Sequence, residues 1–176
     1  MKSTTTRRIL ATTPAVLTAG GALIAGTTAT ANPNGEYVAF GDSFVANPGA
    51  TDEANGTGRP GAVCPVSTTN VGHNVAHQLG MQLHDYTCNG TVAYVPTTPK
   101  TLAGYVETAI QNGHVNVNTQ LITVAIGAND AMQAFWAPNE VQNDMFHQSV
   151  TGSINRLKEH APNARVMVIG LPEIAS

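Results

Sequence analysis

The segment Leu121-Ile122-Thr123-Val124-Ala125-Ile126 constrains the fold of this chain more than any other. It is a near-continuous apolar run that stops at Gly127-Ala128-Asn129-Asp130. A strand with one wet face alternates apolar and polar side chains, whereas an unbroken run is what a central parallel strand, buried on both faces, requires. Parallel neighbours are reached only through crossover connections, usually helices. The chain supplies both parts. Glu36 to Phe40 reads as a first strand, and Gln82 to Thr87 as a second. Arg165 to Gly170 reads as another buried strand. Between them, Val71, Val75, Ala76 and Leu79 share one face of a helix ending at Gly80. Leu102, Tyr105, Val106, Ala109 and Ile110 mark a second amphipathic helix, closed by Asn112-Gly113. A third puts Phe146, Val150, Ile154, Leu157 and Ala161 on its core side, with Pro162 after it. Alternating strands and helices predict a parallel sheet with helices on both faces.

Length and composition fit one domain: 176 residues, 42% hydrophobic, can bury one real core. Residues 1–31 stand apart from it. Lys2, Arg7 and Arg8 are followed by a small apolar stretch from Ala15 to Gly26 and by Ala29-Thr30-Ala31, the pattern of a secretory signal peptide. The stretch is too short and too weakly apolar to span a membrane, so no stable membrane insertion is expected. Asn32 then begins the mature domain, residues 32–176. Removing the signal leaves five basic against eleven acidic residues, a net charge of −6. No basic patch remains for nucleic acid or an anionic membrane surface. Export also bears on Cys64 and Cys88: an even count in an oxidising compartment predicts one disulfide, and the alternative, a metal or redox pair, lacks CxxC spacing. Residues 46–69, rich in Gly and Pro, read as a long irregular loop, functional or mobile.

Three strand ends share a pattern of glycine or cysteine followed by a small polar residue. They are Gly41-Asp42-Ser43, Cys88-Asn89-Gly90 and Gly127-Ala128-Asn129-Asp130. Taken alone, Asp42 and Ser43 could simply cap a helix. In a parallel sheet, however, strand ends of one sense lie along one edge, where such folds place their chemistry. Acyl transfer suits this set: a serine oxygen attacks a carbonyl, and the resulting oxyanion needs donors already in place.

The three blocks resemble the GDSL, or SGNH, hydrolase family of esterases and lipases. Gly41-Asp42-Ser43-Phe44 is similar to its nucleophile block, Gly90 to its second-block glycine, and Gly127-Ala128-Asn129-Asp130 to its G-x-N-D block. The spacing of Cys64 and Cys88 looks like that of secreted bacterial lipases of the family. The resemblance spans residues 35 to 176 in order. It implies a flavodoxin-like, three-layer α/β/α fold, with Ser43 as nucleophile and Ser43, Gly90 and Asn129 forming the oxyanion hole. It implies no metal or organic cofactor. Asp42 then holds the turn. The substrate would be a small-molecule or lipid ester, and the protein a secreted monomer.

The family supplies its base from a D-x-x-H block after one more strand and helix, and that block is not found in its expected place before Ser176. The expectation is therefore a chain missing the last strand and helix, its His/Asp base lying beyond Ser176. Its ester hydrolysis would be far below that of a complete enzyme. The alternative is a catalytically inactive protein of the same fold that binds lipid or carbohydrate. Asp144-Met145-Phe146-His147 has the right letters, but Asp144, His147, Thr151, Asn155 and Lys158 recur at helical spacing and read as a solvated stripe. His73 and His77 are spaced i, i+4, yet asparagine stands where a zinc protease has glutamate, so they too read as a solvated face. His84, His114 and His160 show no partner pattern. Trp136, just after the third corner, is either pocket lining or core. The chain has no G-x-S-x-G, which argues against an α/β-hydrolase.

Overall fold

Alternate residues of the first strand face opposite ways, and both sets are buried. The computed structural model describes residues 34–49, 64–94, 98–133 and 139–170. The readings of the export segment, of residues 50–63 and of Trp136 lie outside the described residues. Among the described residues there are four strands: β1 (Glu36–Gly41), β2 (Gln82–Thr87), β3 (Thr119–Ala125) and β4 (Arg165–Val168). Five helices accompany them: α1 (Ser43–Ala46), α2 (Val71–Leu79), α3 (Leu102–Gln111), α4 (Ala128–Gln133) and α5 (Asn139–His160). The sheet order is β2-β1-β3-β4, every pairing parallel.

On one face Val38, Phe40, Ile122 and Val124 pack with Leu102, Val106 and Ala109 of α3 and with Val150 and Leu157 of α5. On the other, Tyr37, Ala39 and Leu121 pack with Ala76 of α2 and Met81. That is the expected α/β/α sandwich. Burying a side chain such as Ile122 or Val124, each with no exposed surface, contributes about 1.5–3 kcal/mol relative to leaving it in water. Helix ends follow local chemistry: the Asn70 side chain accepts the His73 N–H at the start of α2, and Thr101 accepts the Gly104 N–H at the start of α3.

Two readings need correction. Arg165 to Gly170 is not a buried strand: only Arg165–Val168 is paired, at the edge of the sheet, and Met167 and Val168 are 49% and 57% exposed. Likewise Val71 and Leu79 do not reach the core, although Ala76 of the same helix does. The cause is shared. Helix α2 covers β1 and β2, while among the described residues no element lies over the same face of β3 and β4. An open cavity of about 1020 Å³ results, lined in part by Val71, Leu79, Met81, Val117, Met167 and Ile169.

Candidate active site

The register sets the level of the site. Gly41 pairs with Thr87 on one side and Ala125 on the other, so three strands end together and their corners leave one edge. At the first corner, a side chain on Gly41 would sit 2.7 Å from the Ala125 carbonyl oxygen and against Val45. Close approach therefore demands glycine here, not the unusual backbone angle that a sharp turn suggests. Asp42 is fully buried and caps α1: its Oδ1 accepts the Phe44 N–H at 2.9 Å. Its own N–H donates to Ala125 O at 3.2 Å. Burial pushes the Asp42 carboxyl above its ordinary range, and the charge of Asp130 adds to this; the backbone N–H groups of Phe44 and Ala128 pull the other way. Ser43, the next residue, opens α1 and is exposed to solvent.

The second corner is tied to the first, since Cys88 N–H donates to Gly41 O at 2.9 Å. Cys88 is disulfide-bonded to Cys64, with Cα atoms 5.4 Å apart. Gly90 has φ +77°, which favours glycine, and the space a side chain would enter is empty. The third corner turns at Gly127, φ +128°. Asn129 donates its side-chain amide to Thr91 O at 3.0 Å. Asp130, 2% exposed, accepts the Ala93 N–H at 2.9 Å and the Tyr94 N–H at 3.0 Å. The first corner is thus hydrogen-bonded to the second and to the end of β3, and the third corner to the residues that follow Gly90. In the sequence Asp130 is the last letter of the G-x-N-D block and carries no assigned role; its part in holding Ala93 and Tyr94 is visible only in the fold.

The histidines do not join this group. Asp144 and His147 are exposed on α5, together with Thr151, Asn155 and Lys158, as the helical stripe requires. His77 is exposed, but His73 is more than a solvated residue: its Nδ1 lies 3.0 Å from Asn70 Oδ1 and 3.8 Å from Asp85 Oδ2. His84 and His114 do have partners. Their rings stack with centroids 3.8 Å apart, and His114 Nδ1 is 2.7 Å from the Tyr86 hydroxyl. Among the described residues no histidine is hydrogen-bonded to Ser43. No group of three or more His, Cys, Asp or Glu side chains there is placed to hold a metal ion.

A four-stranded parallel sheet with helices packed on both faces, and an exposed serine directly after its first strand, defines an α/β/α protein. The chain belongs to the GDSL-like Lipase/Acylhydrolase family, whose model matches residues 39–176. It is 36% identical over 104 residues to Lipase 2 of Streptomyces coelicolor, a match covering 58% of this chain and 32% of that protein. Among solved structures it is similar to an extracellular lipase from Streptomyces rimosus, with TM-score 0.56 and 19% identity over 81% of this chain and 62% of the other. The same values hold for phospholipase A1 from Streptomyces albidoflavus NA297. A family two carbohydrate esterase from Clostridium thermocellum follows at TM-score 0.55 and 18% identity, over 82% and 46%. At these identities the likeness is one of fold. The chain spans about a third of the curated relative it matches, and less than two thirds of these solved chains.

Proposed function

We propose that this chain carries the nucleophile and oxyanion hole of an exported serine esterase or lipase acting on carboxylic esters. The observation that supports this best is that three parallel strands end at one level, with Ser43, Gly90 and Asn129 following their ends and with Cys88 N–H bonded to Gly41 O and the Asn129 amide to Thr91 O. In this reading the Ser43 oxygen attacks the ester carbonyl. The backbone N–H groups of Ser43 and Gly90 and the amide of Asn129 receive the negative charge that forms on the carbonyl oxygen. The alcohol then leaves, and water releases the acid from the acyl-serine. An amide has two N–H groups; one of Asn129's holds Thr91 O, and the other serves the oxyanion. The Ser43 proton needs a general base, which in such a triad is a histidine held by an acid; among the described residues no histidine is hydrogen-bonded to Ser43. The signal-like residues 1–31 and the Cys64–Cys88 bridge support export. Esters of lipids and of carbohydrates are both candidates, given the lipases and carbohydrate esterases of like fold.

The test is acylation of Ser43 itself. After incubation of the oxidised chain with p-nitrophenyl acetate, peptide mapping should find acetyl on Ser43 ahead of every other serine, and slowly where no histidine is hydrogen-bonded to it. Ser43→Ala should abolish it. Asn129→Ala and Asn129→Asp should slow it by about 10²–10³-fold, the usual effect of losing one oxyanion donor. If Ser43 labels no faster than other serines, the chain is a binding protein on this fold.

A further inference from the structure

The segment Thr91–Tyr94 leaves the second corner directly after Gly90, and the acceptors of its N–H groups come from two sources. Thr91 N–H donates to Cys88 O and Val92 N–H to Lys100 O, while Leu102 N–H donates to Val92 O. Those are backbone pairings. The N–H groups of Ala93 and Tyr94 go instead to one side chain, the carboxylate of Asp130. Ser149 of α5 donates its hydroxyl to Ala93 O, and Asn129 donates its amide to Thr91 O. Asn129 and Asp130 are adjacent in the first turn of α4, so this one turn grips the segment at both ends.

We propose that Asp130 is the positioning residue of the oxyanion hole, fixing where the Gly90 N–H points relative to the Asn129 amide. The inference rests on the reading of Gly90 and Asn129 as oxyanion donors. The physical case is one of burial and geometry. A carboxylate 2% exposed is costly unless its charge is met by donors, and two backbone N–H groups meet it here. Ala93 is buried as well, so without the carboxylate its N–H would lose its acceptor away from water. Gly90 gains no such restraint from its own residue type: its left-handed angle and missing side chain leave it free to move unless its neighbours are held. Donors stabilise a transition state only if they are in place before the charge appears, and a shift of about 1 Å is enough to spoil such a site.

The charge and the grip of Asp130 act in opposite directions. A carboxylate beside this corner repels a forming oxyanion. If charge were its main influence, Asp130→Asn would speed Ser43 acylation; the grip predicts that it slows it.

The experiment uses the full oxidised chain, labelled with ¹⁵N, and amide hydrogen exchange. In the wild type the Ala93 and Tyr94 amides should exchange as slowly as those of β3, which needs no variant to check. In Asp130→Asn, exchange at Gly90, Ala93 and Tyr94 should rise at least about tenfold while β3 and α3 stay within about twofold. Acetylation of Ser43 by p-nitrophenyl acetate should fall by about tenfold or more, with the half-saturating ester concentration unchanged. Asp130→Glu, which keeps the carboxylate, should recover part of both. The proposal is overturned if the wild-type Ala93 and Tyr94 amides exchange freely, or if Asp130→Asn leaves them protected. It is equally overturned if that variant acetylates at the wild-type rate or faster. Should Ser43 of the wild type not acetylate at all, the ester-cleaving reading falls, and exchange at Ala93 and Tyr94 still decides whether Asp130 holds the segment.

Discussion

Asp42 shows how a helix cap can fix the direction of the residue beside it. Its cap is real, since Oδ1 takes the Phe44 N–H, and the same bond turns Ser43 outward at the start of α1. The cost is a buried carboxyl, which burial pushes above its ordinary value of 3.8. The folded protein therefore holds this proton more tightly than the unfolded chain does. Stability from Asp42 is greatest at low pH and is lost as pH rises through the raised folded pKa. Asp42→Asn keeps an acceptor for Phe44 and removes the charge. Its melting temperature relative to wild type should accordingly rise as the pH is raised above about 4. Melts of both proteins followed by circular dichroism across that range provide the check. A constant difference would mean that the folded and unfolded states bind the proton equally.

At the scale of elements, the decisive link joins the end of β2 to a loop distant in sequence. Cys64 and Cys88, separated by 24 residues and both buried, anchor the corner that carries Gly90. Closing a loop of that length stabilises the fold by roughly 3 kcal/mol on the chain-entropy account. The pair variant Cys64→Ser with Cys88→Ser should lose about that much in urea denaturation, with a lower midpoint and a slope somewhat steeper than wild type, because the unfolded chain expands. An unchanged midpoint would mean that the unfolded chain gains no freedom from the lost bridge. Helix α5 shows the opposite case, in which sequence spacing alone assigns roles. Its apolar stripe meets α3 and the sheet, and its Asp144–His147 stripe meets water.

For the whole molecule, the uneven cover of the sheet matters most. Among the described residues, one face is closed by α3 and α5, and the other is closed over β1 and β2 only. Exposed Val71, Leu79, Val117 and Met167 lie beside the cavity on that side, and β4 presents an edge. Apolar patches and strand edges of this kind favour dye binding and self-association. The variant Leu79→Gln with Met167→Thr should therefore bind less of an apolar fluorescent dye and associate less with rising concentration. Its stability should change little, by about 0.5 kcal/mol per site, because both residues are already wet. Fluorescence and sedimentation measure this directly. Equal dye binding by variant and wild type would show that this face is covered in solution.

The sequence by itself determined which segments are strands and which faces of α3 and α5 turn inward, because periodicity reports how a segment divides its own surface between core and water. It also marked Ser43, Gly90 and Asn129, since glycine and small polar residues at strand ends leave a local trace. Only the tertiary structure decided what lies opposite each segment. Gly41 must be glycine because the Ala125 carbonyl crosses in front of it. Arg165–Val168 is an exposed edge because no layer lies over its outer side among the described residues. The Asp130 carboxylate has a purpose because Ala93, 37 residues away in sequence, folds against it. These facts depend on strand order and on the contacts it creates, and a pattern confined to one segment carries no record of its partner.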